Sequence, residues 1–545
     1  MKRSFVALAM LAALLLPASP TTTAVAQSGQ ALEHRAEVTR PTHYDTSSRP
    51  LRDVEPSAVP ERARGGRDFE PGRPQPVGNS NSTAVDPLAA RSVGASRADV
   101  MPKASTVGTP VDPNARVAPP DTTGDLGPNH YVQWVNSRYS IYTVSRDPNT
   151  KEITGFNLVP GFPKQGNAIW AGFGGPCETM NDGDPIVQYD QLADRWVLTQ
   201  FAVSKSPYIQ CVAVSTGPDP TLTYHRYAYS YGRDMNDYPK MSVWPNGYYI
   251  TYNMFRSGRS FVGHNVCAFE RDKMLTGASA RQICALTTGG HSLEPADLEG
   301  TALPANPETA AIPLMGMSTT ALQAWRYSVN WAAGTGTLSG PFAVPGASTF
   351  SRACGGGTCV PQPGTTTQLD SLGDRLMYRL SYRNFGTHES MVINHSVATG
   401  GVSAVRWYEL RNAAGQTVST ATPVVYQEGT YSPTADHRWM GSAAIDKTGG
   451  IAVAYNISNA STIRPSIRYA GRGPADAPGT LGLEVQALAG TGSQTGSLSR
   501  WGDYSTISVD PVDGCTMVFT TEFIPSNGSF NWSTFIYSFK LSTCQ

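Results

Sequence analysis

Several short runs of the 545-residue chain place carboxylates, tyrosines and cations beside aromatic residues at the head of a strand-like segment. They are Gly124-Asp125, Gly183-Asp184-Pro185, Asp237-Tyr238-Pro239-Lys240, Gly373-Asp374-Arg375, His437-Arg438-Trp439 and Arg500-Trp501-Gly502-Asp503-Tyr504. Hydrolysis of a glycosidic bond needs two carboxyl groups on one cavity, one protonated to release the leaving oxygen and one ionised as base or nucleophile. Asp184 and Asp503 are the candidates for that pair. Tyr238 and Lys240 suit a second chemistry, removal of a proton beside a uronate carboxylate, which would make a lyase. Arg438 could fork onto a sugar carboxylate, Trp439 and Trp501 could stack on a sugar face, and Tyr504, His437 and Asp125 complete the candidate binding set. The same residues carry a plain structural reading. An Asp at the head of a strand commonly caps backbone N–H groups, and the tryptophans can pack between sheets.

These runs need a scaffold that gathers them. Each opens a recurring unit in which a small or acidic turn leads into an alternating strand, a turn at Asp, Asn or Gly, and a second strand. The third copy, for example, runs from Asp237 through Trp244 to Tyr252. Unit starts lie about 50 to 75 residues apart, the spacing of four-stranded blades with uneven loops. Four short strands cannot cover their own faces, so units stack around an axis and leave only short edges. The predicted fold is all-β, a single β-propeller of seven blades, with six or eight as the bounds. In that fold the polar openings converge on a central funnel. Two packed β-sandwiches are the alternative, and they predict less regular recurrence.

Residues 1–26 read as a signal peptide: Lys2 and Arg3, an apolar run from Phe5 to Leu16, and Ala24-Val25-Ala26 for cleavage. Residues 27–114 are rich in Arg, Ser, Pro, Thr and Ala and lack an apolar period, which predicts a disordered leader or propeptide. The propeller is assigned to 115–545. Export makes disulfides of the eight cysteines, and chain order pairs Cys177 with Cys211, Cys267 with Cys284, Cys354 with Cys359, and Cys515 with Cys544. A zinc site would need ligand spacings that these cysteines and histidines lack. The oxygen-rich Asp121 to Asp125 run and the pair Asp182 and Asp184 would suit Ca²⁺, although neither forms an EF-hand loop.

With 42 basic and 42 acidic residues there is no excess of positive charge for a nucleic acid to read. No stretch approaches the roughly 20 apolar residues of a membrane span. The chain is expected to be a secreted monomer.

The segments Pro119-Pro120-Asp121-Thr122-Thr123-Gly124-Asp125-Leu126-Gly127-Pro128-Asn129-His130-Tyr131, Asp184-Pro185-Ile186-Val187-Gln188-Tyr189-Asp190 and Arg500-Trp501-Gly502-Asp503-Tyr504 resemble those of secreted, largely uncharacterised bacterial β-propeller proteins that are sialidase-like in shape. The resemblance covers about residues 115 to 545. The sialidase Asp-box occurs only in altered form, at Ser442 to Gly449 and Ser508 to Gly514, so the resemblance implies shape rather than sialidase activity. The resulting expectation is a polysaccharide as partner, bound and cleaved in the funnel. The alternative is a non-catalytic module that binds glycan or protein there.

Overall fold

The computed structural model describes Met1 and residues 34–55, 67–68, 77–89, 94, 98–113, 116–413 and 415–545. Apart from Met1, the signal peptide expected over 1–26 lies outside the described residues.

The described chain is all-β, with helix confined to single turns such as Gly175–Thr179 and Arg271–Met274. From residue 123 onward it lays down antiparallel groups of consecutive strands. The first comprises Thr123–Leu126, His130–Val135, Arg138–Arg146 and Ile153–Leu158. The next six groups open with Ile186–Asp190, Asp234–Trp244, His291–Leu298, Leu376–Asn384, His437–Ile445 and Thr506–Val509. Parallel pairing of Ala296, Asp297 and Leu298 with Leu380, Ser381 and Tyr382 fuses the fourth and fifth groups into a nine-stranded sheet.

The strand sequences explain how these sheets pack. Tyr208–Ser215 and Ile451–Ser458 are buried at every position, the signature of strands covered on both faces rather than one. The apolar clusters lie between successive groups. Trp134 and Tyr139 of the first meet Trp196 and Leu198 of the second, and Ala452 and Tyr469 of the sixth meet Phe519 and Phe539 of the seventh. The seventh packs back on the first through Val518 and Ile536 against Tyr131 and Tyr142. Arg146 of the first group also grips Asp510 of the seventh with two hydrogen bonds, of 2.5 and 3.0 Å. The opening strands touch one another in the same cyclic order.

The N-terminal segment corrects an expectation. A disordered leader or propeptide was predicted over 27–114, yet several of its described stretches pair with sheet edges. His34–Arg35 pairs with the fourth group, Glu37–Thr39 with the third and His43–Thr46 with the second. Val100–Val107 pairs with Ser533–Leu541 and is the fourth strand of the seventh group. Asp86 is ion-paired with fully buried Arg406 at 2.5 Å. The reason is physical: low apolar content prevents a segment from building its own core, but an edge strand needs only the unpaired N–H and C=O groups of a sheet.

The bonds Cys177–Cys211, Cys267–Cys284, Cys354–Cys359 and Cys515–Cys544 are all present. No helix among the described residues is long and apolar enough to cross a membrane.

A left-handed backbone position recurs just before or within each opening strand. Asp121, Asp184, Tyr238, Ser292, Leu372, Met440 and Asp503, one per group, have positive φ between 39° and 58°. Non-glycine residues are uncommon in that region, so its recurrence is the structural counterpart of the polar openings in the sequence.

Candidate functional site

Three of these turns bring their aspartates together. Asp121, Asp184 and Asp503 act on one another electrostatically, and Asp237, next to the turn residue Tyr238, joins them. The Tyr504 hydroxyl lies 3.2 Å from Asp184 Oδ2 and 3.1 Å from the Pro239 carbonyl. The Tyr238 hydroxyl donates to the Asp503 carbonyl at 2.8 Å, and the two tyrosine rings stand 4.9 Å apart. Lys240 Nζ sits 3.6 Å from each ring centroid. Arg500 donates to the Asp503 carboxylate. Arg375 grips Asp374 at 2.8 and 3.0 Å and lies 4.6 Å over the Tyr238 ring.

Burial sets the electrostatics of the cluster. It pushes the Asp184 carboxyl up to about 7, with help from the Asp503 carboxylate and against the pull of Lys240. Burial also raises Asp121 and Asp237 well above the usual carboxylate range, and repulsion from Asp184 adds to both shifts. Glu294, fully buried deeper in the cluster, is pushed up to about 8, and Lys240 is pushed down to about 7. Asp184 and Asp237 are half-buried and form the reachable part of the cluster, whereas Asp121 and Asp503 are buried.

A second set of carboxyl groups surrounds one arginine. Arg379 pairs with Asp297 at 2.9 Å, with Asp125 at 3.6 Å and with Glu299. Burial still pushes Asp125 up to about 6 and Asp297 up to about 7, with Arg379 opposing both shifts. Asp125 also accepts from the backbone N–H groups of Tyr189 and Leu126, both at 2.8 Å.

The structure therefore unites Asp184, Asp503, Tyr238, Lys240 and Tyr504 and separates the other candidates from them. Arg438, expected to hold a sugar, is fully buried and bound to Glu484 at 2.9 and 3.0 Å. A guanidinium on a sheet interior needs a carboxylate partner, and Glu484 supplies it. Trp439 and Trp501 are fully buried and pack against each other at 5.6 Å, so neither offers a face to a ligand. His437 faces Ser403, and burial holds it down at about 4. Asp125 belongs to the Arg379 set. Asp182, one of the residues considered for Ca²⁺, accepts from the Val203 and Ser204 N–H groups at 2.7 Å. Among the described residues no three His, Cys, Asp or Glu side chains converge in a way that could hold a metal ion.

Sequence reasoning counted Asp237 among the polar openings and weighed Asp121 for Ca²⁺, but gave neither of them, nor Glu294, Arg375 or Arg500, a catalytic or sugar-binding role. Asp121, Asp237, Arg375 and Arg500 lie within or beside the polar openings that were expected to converge. Glu294, in the run His291-Ser292-Leu293-Glu294, had no such signal because its turn is not acidic.

No protein-family model and no curated protein matches the chain. Solved structures similar to it include an endo-arabinase from Bacteroides thetaiotaomicron, at 14% identity and a TM-score of 0.27 over 52% of this chain and 92% of that one. An endo-1,5-α-L-arabinanase from Thermotoga petrophila matches at 12% identity and a TM-score of 0.27, over 80% of this chain and 99% of its own. A subtype N10 neuraminidase-like protein of A/little yellow-shouldered bat/Guatemala matches at 9% identity and a TM-score of 0.27, over 76% and 94%. Likenesses this weak support no conclusion about the present chain.

Proposed function

We propose that this chain is an exported, closed β-propeller of seven blades that binds a polysaccharide at the Asp184 cluster and cleaves it by hydrolysis. The cyclic contacts of the opening strands, together with the packing of the seventh group on the first, support the ring. Four disulfides suit an oxidising compartment. The observation that carries the hydrolytic reading is a pair of carboxyl groups in unlike settings. Asp184 is pushed up to about 7 and stays reachable, so it can give a proton to a leaving oxygen near neutral pH. Asp503 accepts a hydrogen bond from Arg500 and would be the second carboxyl group, the one that activates water or attacks the sugar. Elimination by Tyr238 and Lys240 has less support. The Tyr238 hydroxyl is bonded to the Asp503 carbonyl, and Lys240 is only 1% exposed.

The test is to incubate the full chain with a panel of polysaccharides and follow both reducing ends and the absorbance of unsaturated uronates. New reducing ends without that absorbance are expected. Absorbance would mean elimination. Binding with neither signal would mean a glycan-binding module without catalysis.

A further inference from the structure

The charges around Asp184 also bear on which glycan fits, an inference that rests on the reading just given. Lys240, Arg375 and Arg500 are the cations that act on Asp121, Asp184 and Asp237, and the two guanidiniums are already engaged. Arg375 is bidentate to Asp374 and stacked on Tyr238, Arg500 is bonded to Asp503, and Lys240 lies between two tyrosine rings. Their exposures are 8%, 8% and 1% respectively, whereas Asp184 and Asp237 remain half-buried. An incoming carboxylate would therefore meet acids before it met a guanidinium. Capturing Arg375 or Arg500 would strand Asp374 or Asp503 without its partner, a costly exchange in a desolvated site. Sugar hydroxyls carry no such penalty, because protonated carboxyl groups and tyrosine hydroxyls can both donate and accept.

We infer that the Asp184 cluster selects uncharged glycans and rejects those bearing carboxylates.

The experiment is an array binding assay with the full chain. Arabinan, galactan, xylan and mannan fragments are displayed beside polygalacturonate, alginate and hyaluronan fragments, with homogalacturonan in free-acid and methyl-esterified forms. The expected result is that the tightest ligands are uncharged, that any carboxylated counterpart binds about tenfold or more weakly, and that the leading affinity holds in high salt. Preference for a carboxylated glycan, or a leading affinity that collapses with salt, overturns the inference and leaves the glycan reading standing. An array with no bound glycan overturns both.

Discussion

Two groups of buried acids, the Asp184 cluster and the Arg379 cluster, show that a displaced pKa does not by itself mark a working site. Burial pushes Asp184 and Asp297 alike up to about 7. They differ in pairing and access. Asp297 shares the Arg379 guanidinium with Asp125 and Glu299 and is 1% exposed, whereas Asp184 has a tyrosine hydroxyl for a neighbour and remains half-buried. The first arrangement fixes strands of several groups to one another. The second leaves a proton within reach of a ligand.

The sharpest way to break the contrast is a pair of matched substitutions. Asp184→Asn should lower hydrolysis by about 10²- to 10⁴-fold, the span of general acid catalysis, with glycan binding retained. Asp297→Asn should leave the rate within about twofold of wild type, as expected of a group that touches no reacting atom. Equal losses in the two variants would erase the distinction. Arg379→Met comes next. It abandons three buried carboxyl groups and should cost about 3 to 5 kcal/mol in urea unfolding. Breaking Cys515–Cys544 by double Ser substitution is expected to cost about 3 kcal/mol, given its 29-residue separation.

The smallest effect concerns pH. A carboxyl at about 7 when folded and near the ordinary aspartate value of 3.8 when unfolded binds its proton more tightly in the folded chain. Its contribution is therefore complete below about pH 4 and fades as pH rises to 7, by roughly 1 to 2 kcal/mol after allowance for solvent. Asp184→Asn should flatten that decline in melting curves, and a steeper one would contradict the shift. Activity needs the same proton, so it should fall as pH rises past about 7.

Much of this architecture could be read from local grammar. The cysteine pairing followed from chain order, and several strand heads followed from recurring polar turns. The site was only half legible, because Arg438 and Trp439 sit beside a polar opening yet point into the sheet packing. A side chain's direction at a left-handed turn such as Met440 depends on a backbone torsion that residue type does not announce. Glu484, the partner that claims Arg438, lies 46 residues away, beyond any local window. The strands described within 27–114 escaped composition because composition measures what a segment can bury alone, and Val100–Val107 borrows its stability from Ser533–Leu541.

That borrowed strand also constrains the order of folding. Met101 pairs with Lys540, so the seventh group cannot finish until nearly the whole chain has been synthesised. Until then both flanks of the assembly present bare strand edges, open to mispairing with other chains. Contacts this distant in sequence also slow the search for the native state. A chain cut short before residue 533 should lose more than one sheet: it would be left with two sticky borders and should aggregate.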